Sequence, residues 1–246
     1  MGGCCTSTKG QQQVISPVIT PKSNVRVTPH TEPEENKWDQ EENKTIQSLV
    51  AACETELKQL IATPETFPDP HAYKPGINIY GKETPRGFLM KSEWKCPHSP
   101  ETVLAFIQNN TLRPIWDPYL AECLSKGLVK DNIQLTYERD NVKFIPSPRD
   151  ILYAGKVCPH DNGLLYVKVS VERQDIPLEE GVIRTNLFVG GYHILPTDQG
   201  SLVTLYSEMD FGGAVPKEVL VKASAKRLLG WVEAFNEKIA SLRPLD

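Results

Sequence analysis

The first residues of the chain, MGGCCT, have the spacing that protein acylation requires. Gly2 becomes the first residue once Met1 is removed, and the threonine at position six completes the N-myristoylation pattern. Cys4 and Cys5 follow directly and are candidates for S-palmitoylation. One myristoyl chain binds a membrane only marginally, so stable anchoring takes a second signal. The sequence therefore predicts an acylated N-terminus at the cytoplasmic face of a membrane, either plasma membrane or endomembrane; the alternative is an unmodified N-terminus.

The other nucleophilic and metal-binding side chains show no spacing typical of a catalytic or metal site. No Cys-x-x-Cys pair and no Cys/His ligand spacing occurs. The histidines are scattered, mostly beside prolines or turns: His30, His71, His98, His160 and His193. We therefore predict no catalytic residues, no metal site and no cofactor, and we expect reduced structural thiols.

The composition and net charge of the chain indicate which classes of partner to expect. The 246 residues carry a net charge of -4, whereas a nucleic-acid binder is usually basic, so we expect no nucleic-acid partner. No apolar run approaches the ~20 residues that span a bilayer. The length suits one domain of about 200 residues with a tail, and we expect a monomer.

Residues 1–40 are polar and end in an acidic stretch, a composition that buries too little apolar surface to fold. We expect an acylated N-terminus and a disordered linker there, and a folded domain over residues 41–246. A linker of ~37 residues has an r.m.s. span of roughly 33 Å and a full extension of roughly 125 Å. Such a linker would keep the domain beside its own membrane.

Periodicity predicts the elements of the folded domain. Apolar residues at three- and four-residue steps indicate a helix from about Glu41 to Ile61. Ser99 and Pro100 have the residue types of a helix start. Strands are predicted at 77–82, 87–96, 126–129, 133–139, 150–157 and 164–173, and the last of these alternates as a half-buried antiparallel strand.

The stretch from Gly181 to Lys217 predicts a curved hairpin that leads into a long final helix. Ile183 to Val189 alternates with period two, and Gly190-Gly191 indicates a bulge or bend. A final helix over residues 216–242 carries a broad apolar face, so it must be covered by the sheet.

Several short motifs, in order, carry a resemblance to a known family. They are RPIWD at 113–117, SPRD at 147–150, SVE at 170–172, GVIR at 181–184, GGY at 190–192, GSLVT at 200–204 and DFGGAVP at 210–216. Over roughly residues 41–243 the chain resembles START domains, the steroidogenic acute regulatory protein-related lipid transfer family. The resemblance implies an α+β helix-grip fold, in which a curved antiparallel sheet wraps around a long C-terminal helix and leaves a tunnel for one lipid.

The resemblance also implies site residues. Arg184, in the GVIR motif, would face the tunnel and meet an acidic partner, and Glu138 is the best-placed acid. Strand alternation leaves a solvated Arg184 as the alternative, and we expect Arg149 and Asp150 to form a structural ion pair. A loop at 174–180, with Ile176 and Leu178, would be the gate. The tunnel-lining candidates are Trp94, Tyr192, Leu220, Ala223, Ser224, Leu228 and Trp231. Core packing is the default alternative for the strand aromatics Trp94 and Tyr192, and a role as a good helix former is the alternative for Ala223.

The leading hypothesis is a non-enzymatic binder of one phospholipid or sterol, tethered to a membrane. The first alternative is an enzyme on the same scaffold acting on an apolar substrate, with Glu138, His193 and Tyr192 as conceivable acid–base groups. The second is a membrane-tethered interaction module whose cavity is filled by side chains.

Overall fold

The computed structural model describes residues 40–64, 67, 72–140, 147–213 and 217–241, with the backbone alone described over 72–73 and 217–222. The predicted acylation sites Gly2, Cys4 and Cys5 and the predicted linker lie outside these residues. Within the described part, no helix is both long enough and apolar enough to cross a membrane.

The described part of the chain has one long helix at each end and ten strands between them, with two short helices after the third strand. The elements are α1 (Gln40–Ala62), β1 (Ala72–Lys74), β2 (Ile77–Thr84), β3 (Gly87–Cys96), α2 (Pro100–Gln108), α3 (Arg113–Trp116), β4 (Leu120–Val129), β5 (Ile133–Asp140), β6 (Arg149–His160), β7 (Gly163–Ser170), β8 (Ile183–Arg184), β9 (Asn186–Thr197), β10 (Gly200–Asp210) and α4 (Lys217–Ala240). The predicted start of α2 is confirmed, because the Ser99 hydroxyl accepts a hydrogen bond from the Thr102 amide and Pro100 opens the helix.

The strands form one sheet in the order β1-β2-β3-β10-β9-β7-β6-β5-β4, with antiparallel neighbours throughout. The short strand β8 pairs in parallel with β6, outside this path. The predicted hairpin is β9 and β10, which lie in the middle of the sheet. The sheet curves around α4, so the predicted α+β helix-grip fold is confirmed.

The Gly190-Gly191 pair does not interrupt β9, contrary to the prediction. The register shift lies instead at Phe188, the extra β9 residue between Val189, which pairs with Glu208, and Leu187, which pairs with Met209. The glycines allow a close approach of other chain segments: a Cβ at Gly191 would lie 2.2 Å from the Tyr166 carbonyl oxygen. Gly191 therefore has to be small because β7 packs against it, whereas a Cβ at Gly190 would meet the Leu187 side chain of the same strand at 2.9 Å.

Both faces of the sheet are covered, which also corrects the expectation that β7 is half-buried. On one face, Leu165 and Val167 pack in a core with Val50 and Leu57 of α1. The alternate residue Tyr166 belongs to the core on the other face, beneath α4. The alternation along β7 therefore separates an α1 side from an α4 side, and neither side faces water.

An aromatic cluster holds α4 against the sheet. Trp231 and Phe235 of α4 stack with a centroid separation of 5.5 Å. Trp94 of β3 meets both rings edge-on at 5.9 and 5.6 Å, and Trp116 of α3 meets them at 5.4 and 5.8 Å. Edge-to-face and offset aromatic pairs add about 0.5–1.5 kcal/mol each beyond their burial. Trp116, from the RPIWD motif, therefore has a packing role.

Candidate functional site

A cavity of about 180 Å³ lies between the sheet and α4. Its apolar wall includes Met90, Leu187, Leu205, Met209, Leu228 and Trp231. Its charged residues are Arg113, Glu138, Asp140, Lys168 and Arg227. The cavity thus combines an apolar wall with a small set of charged groups, which is the usual make-up of a ligand site.

Arg113, at the start of α3, is the most buried of these charges, with 5% of its surface exposed. Its Nη2 donates to Asp117 Oδ2 at 2.9 Å, and its Nη1 lies 3.5 Å from Glu138 Oε1. Asp117 also accepts from Trp231 Nε1 at 2.8 Å. Each charge is therefore compensated, as burial of ionised groups requires.

Glu138 of β5 lies between two cations. Its Oε1 accepts from the Tyr153 hydroxyl at 2.7 Å and lies 3.8 Å from Lys168 Nζ. Burial favours the neutral acid, but Lys168, Arg113 and the Tyr153 hydroxyl together outweigh burial and lower the pKa of Glu138 to about 2. Burial lowers the pKa of Lys168, although Glu138 opposes the change. Glu138 is therefore ionised at neutral pH and is a weak base.

A second ion pair joins the sheet to α4. Both terminal nitrogens of Arg227 donate to the two oxygens of Asp140 on β5, each at 2.7 Å. Burial raises the pKa of Asp140 against the opposing effect of Arg227. This two-bond pair fixes α4 to the sheet beside the cavity, because a guanidinium matches a carboxylate geometrically.

The predicted pairing of Arg184 with Glu138 is wrong. Arg184 donates instead to both oxygens of Asp150, at 2.6 and 2.9 Å. The parallel pairing of β8 with β6 places these two residues side by side, whereas Glu138 points to the cavity. Among the described residues, Arg184 is not part of the cavity wall.

The expected ion pair between Arg149 and Asp150 is also wrong. The Asp150 carboxylate is taken by Arg184, and the Arg149 guanidinium donates to the carbonyl oxygens of Ser147 and Phe211. Arg149 thus holds backbone segments together at the start of β6.

The structure brings Tyr192, Ser224, Leu228 and Trp231 to the cavity wall, as predicted from the resemblance. Trp94 lies behind that wall in the aromatic cluster, with 1% of its surface exposed. Ala223 lies on α4 and is half-buried, but the described cavity wall does not include it. The side chain of Leu220 lies outside the described residues.

The two residues predicted for the gate loop have different surroundings. Ile176 packs against the core beneath α1 and is half-buried. Leu178 leaves 70% of its surface exposed. The loop is therefore attached at Ile176 and presents an apolar side chain to solvent at Leu178.

The prediction missed four charged residues of the cavity: Arg113, Asp140, Lys168 and Arg227. Arg113 belongs to the RPIWD motif, which carries the family resemblance but no site prediction. The expectation of a half-buried strand over 164–173 places Lys168 on its solvated face. The sequence alone carried no signal for Lys168, because only the packing of α1 and α4 on the two faces of β7 removes its polar face.

Comparisons with known proteins agree with this architecture. The family model for the START domain matches residues 71–241. The human StAR-related lipid transfer protein 5 superimposes with a TM-score of 0.74 at 15% identity, over 80% of this chain and 98% of that one. Human STARD10 gives a TM-score of 0.65 at 16% identity, over 84% and 82% of the two chains.

A curated relative, the acetyl-coenzyme A thioesterase of Rattus norvegicus, is 24% identical over 168 residues. The match includes 67% of this chain but spans only 29% of the thioesterase. The family model covers more than half of the present chain, and the two human structures share its overall fold. The chain belongs to the START domain family.

Proposed function

We propose that this protein binds one lipid, a phospholipid or a sterol, in the cavity between the sheet and α4, and exchanges it with a membrane. The observation that carries this is the cavity itself: apolar along Leu187, Leu205 and Leu228, with charged groups at Arg113 and Lys168. The names of the structural neighbours, lipid transfer proteins, support the same function.

The charged groups would receive the polar part of the lipid. Arg113 lies in the wall, and its Nε atom is buried with no hydrogen-bond partner among the described residues. A buried unpaired donor costs about 1–3 kcal/mol, so a ligand oxygen at this position would be stabilising. The hydroxyl of a sterol or an oxygen of a phospholipid head group has the required chemistry.

Loading would require α4 to move away from the sheet. At about 180 Å³ the cavity is smaller than the ~300–1,000 Å³ typical of pockets that enclose a drug-sized ligand. The contacts that must yield are the Arg227–Asp140 ion pair and the aromatic contacts of Trp231. The exposed Leu178 on the predicted gate loop is available to enter a membrane surface during that opening.

Native mass spectrometry of the untagged protein, purified from the cells that express it, tests this function. We expect a monomer that carries one unaltered lipid, which organic extraction then identifies. A clean ligand-free mass from freshly purified protein would contradict lipid binding and favour an interaction module. A chemically altered lipid would favour an enzyme.

The thioesterase relative makes an enzyme the second candidate. Two features of the described site weigh against it, and we therefore propose a non-enzymatic protein. Glu138, with a pKa of about 2, is too weak a base for efficient general catalysis near neutral pH. His193 lies on the α1 side of the sheet, since it pairs with Leu165. Hydrolysis of acetyl-coenzyme A by the purified chain would contradict a purely binding role.

The N-terminus would tether this domain to the cytoplasmic face of a membrane through acyl chains on Gly2 and on Cys4 or Cys5. The support is the MGGCCT sequence and the need for two acyl signals in stable anchoring. A tether of this length favours exchange at close membrane contacts over long-range transport.

Replacing Gly2 with alanine tests the tether, because myristoylation requires the glycine. We expect fractionation of expressing cells to move the G2A chain from the membrane to the supernatant. Gly3→Ala is the matched control, since position three is unconstrained in the pattern, and it should stay with the membrane. Membrane retention of G2A equal to that of G3A would contradict acyl anchoring.

A further inference from the structure

Two histidines and an aspartate meet on the face of the sheet opposite the cavity. His160 ends β6, Asp161 lies in the turn to β7, and His193 lies in β9. Leu165 of β7 is paired with Cys158 on one side and with His193 on the other. Paired residues of an antiparallel sheet share a face, and His160 follows Cys158 by two positions, so both imidazoles lie on the α1 side.

The distances between the three side chains suit a metal ion. Asp161 Oδ2 lies 3.7 Å from His160 Nε2 and 3.6 Å from His193 Nε2. Ligand atoms of all three residues lie within 4.8 Å of one another. Tetrahedral Zn²⁺ with bonds of 2.0–2.1 Å needs ligand atoms about 3.4 Å apart. Asp161 is 58% exposed and His160 20% exposed, so small movements of these two side chains would close the site.

His193 supplies an independent indication of a ligand. Its side chain is 6% exposed and its Nε2 atom is buried with no hydrogen-bond partner among the described residues. Native proteins rarely leave such an atom unpaired, because its desolvation costs about 1–3 kcal/mol. The same atom faces the Asp161 carboxylate from beyond hydrogen-bond distance. An ion between them would satisfy both groups.

We propose that His160, Asp161 and His193 form a binding site for a divalent transition-metal ion of the zinc class. Imidazole nitrogens select zinc-like ions over Mg²⁺ and Ca²⁺, which prefer oxygen ligands. Three protein ligands leave a fourth position for water or a further donor on the solvent side of Asp161. The ion would join the β6–β7 turn to β9.

This site is separate from the lipid cavity. Tyr192 lines the cavity, and its neighbour His193 therefore points to the opposite face of β9. Metal binding does not depend on the proposed function, and its test does not measure lipid.

Equilibrium dialysis of the untagged, metal-stripped chain against Zn²⁺, with metal analysis by mass spectrometry, tests the site. We expect one Zn²⁺ per chain that is absent from His160→Ala and Asp161→Asn, or bound at least about tenfold more weakly. These two residues are partly exposed, so their replacement should leave the core intact; H193A is informative only if it folds. Zn²⁺ should also raise the melting temperature of the unaltered chain, by preferential binding to the folded state.

His98→Ala is the matched control, since it removes a histidine outside the cluster and should leave Zn²⁺ binding unchanged. Mg²⁺ at the same concentration should not compete. If H160A and D161N bind Zn²⁺ as tightly as the unaltered chain, the ion is held by other groups, such as the cysteine thiols, and the assignment is wrong. Absence of stoichiometric binding by the unaltered chain would also overturn it.

Discussion

Replacing Arg113 with methionine is expected to lower the free energy of unfolding by about 3–5 kcal/mol, because it leaves buried carboxylates without their cation. Arg113 is 5% exposed and is shared between Asp117 and Glu138. Its guanidinium also lies 5.4 Å from the centroid of the Trp116 ring, a cation–π contact that methionine cannot make. Urea denaturation followed by tryptophan fluorescence measures the change.

Arg139→Met is the matched control for this prediction. Arg139 also forms an ion pair, with Glu179 at 2.7 Å, but the two side chains are 31% and 52% exposed. Exposed pairs contribute about 0.2–1 kcal/mol, so R139M should change stability little. Equal losses in R113M and R139M would show that the buried cluster is not a special stabilising feature. A double variant, R113M/E138Q, should lose less than the sum of the two single losses, since it removes both partners.

Replacing Ser224 with tryptophan is expected to reduce the lipid that co-purifies with the protein by tenfold or more. Ser224 lies in the cavity wall one turn of α4 before Leu228, and the whole cavity measures only about 180 Å³. An indole at this position would occupy space that the lipid needs and would hold α4 away from its closed position. Quantitative lipid extraction per mole of protein measures the change.

Lys226→Trp controls for the insertion of a large ring into the same helix. Lys226 is exposed, two residues along α4 from Ser224, so a ring there should leave lipid loading unchanged. Circular dichroism and the melting temperature identify S224W preparations that have simply failed to fold. A folded S224W that is as fully loaded as K226W would place the lipid elsewhere and contradict the proposed site.

The sequence predicts local structure well where apolar residues recur with a regular period or where capping residues mark the end of a helix. The three- and four-residue apolar spacing of α1, the Ser99 cap and the period-two alternation of β7 all appear in the structure. These features depend on a residue and its near neighbours, so they can be recognised without knowing the fold. The family resemblance extended that prediction to the helix-grip arrangement and to cavity residues that include Glu138, Tyr192, Ser224, Leu228 and Trp231.

Ion pairing was predicted poorly, because partners are chosen by strand register. Arg184 lies beside Asp150 only because β8 runs parallel to β6. Glu138 instead forms ion pairs with Arg113 of α3 and Lys168 of β7, which are distant from it in the chain. The register of these strands cannot be predicted from the charges and their spacing along the sequence.

The sequence by itself determined the order of the elements and the apolar residues available for the core, since these follow from residue type and local periodicity. Its ordered motifs indicated the family. Only the tertiary structure decided which sheet face each polar residue occupies and what it meets there. Lys168 became a buried cavity charge once α1 and α4 covered both sides of β7. His160 and His193, which have no metal-site spacing in the sequence, lie near Asp161 because β7 pairs with both β6 and β9. These side chains become neighbours only when distant segments pack together, so the sequence gives their identities but not their contacts.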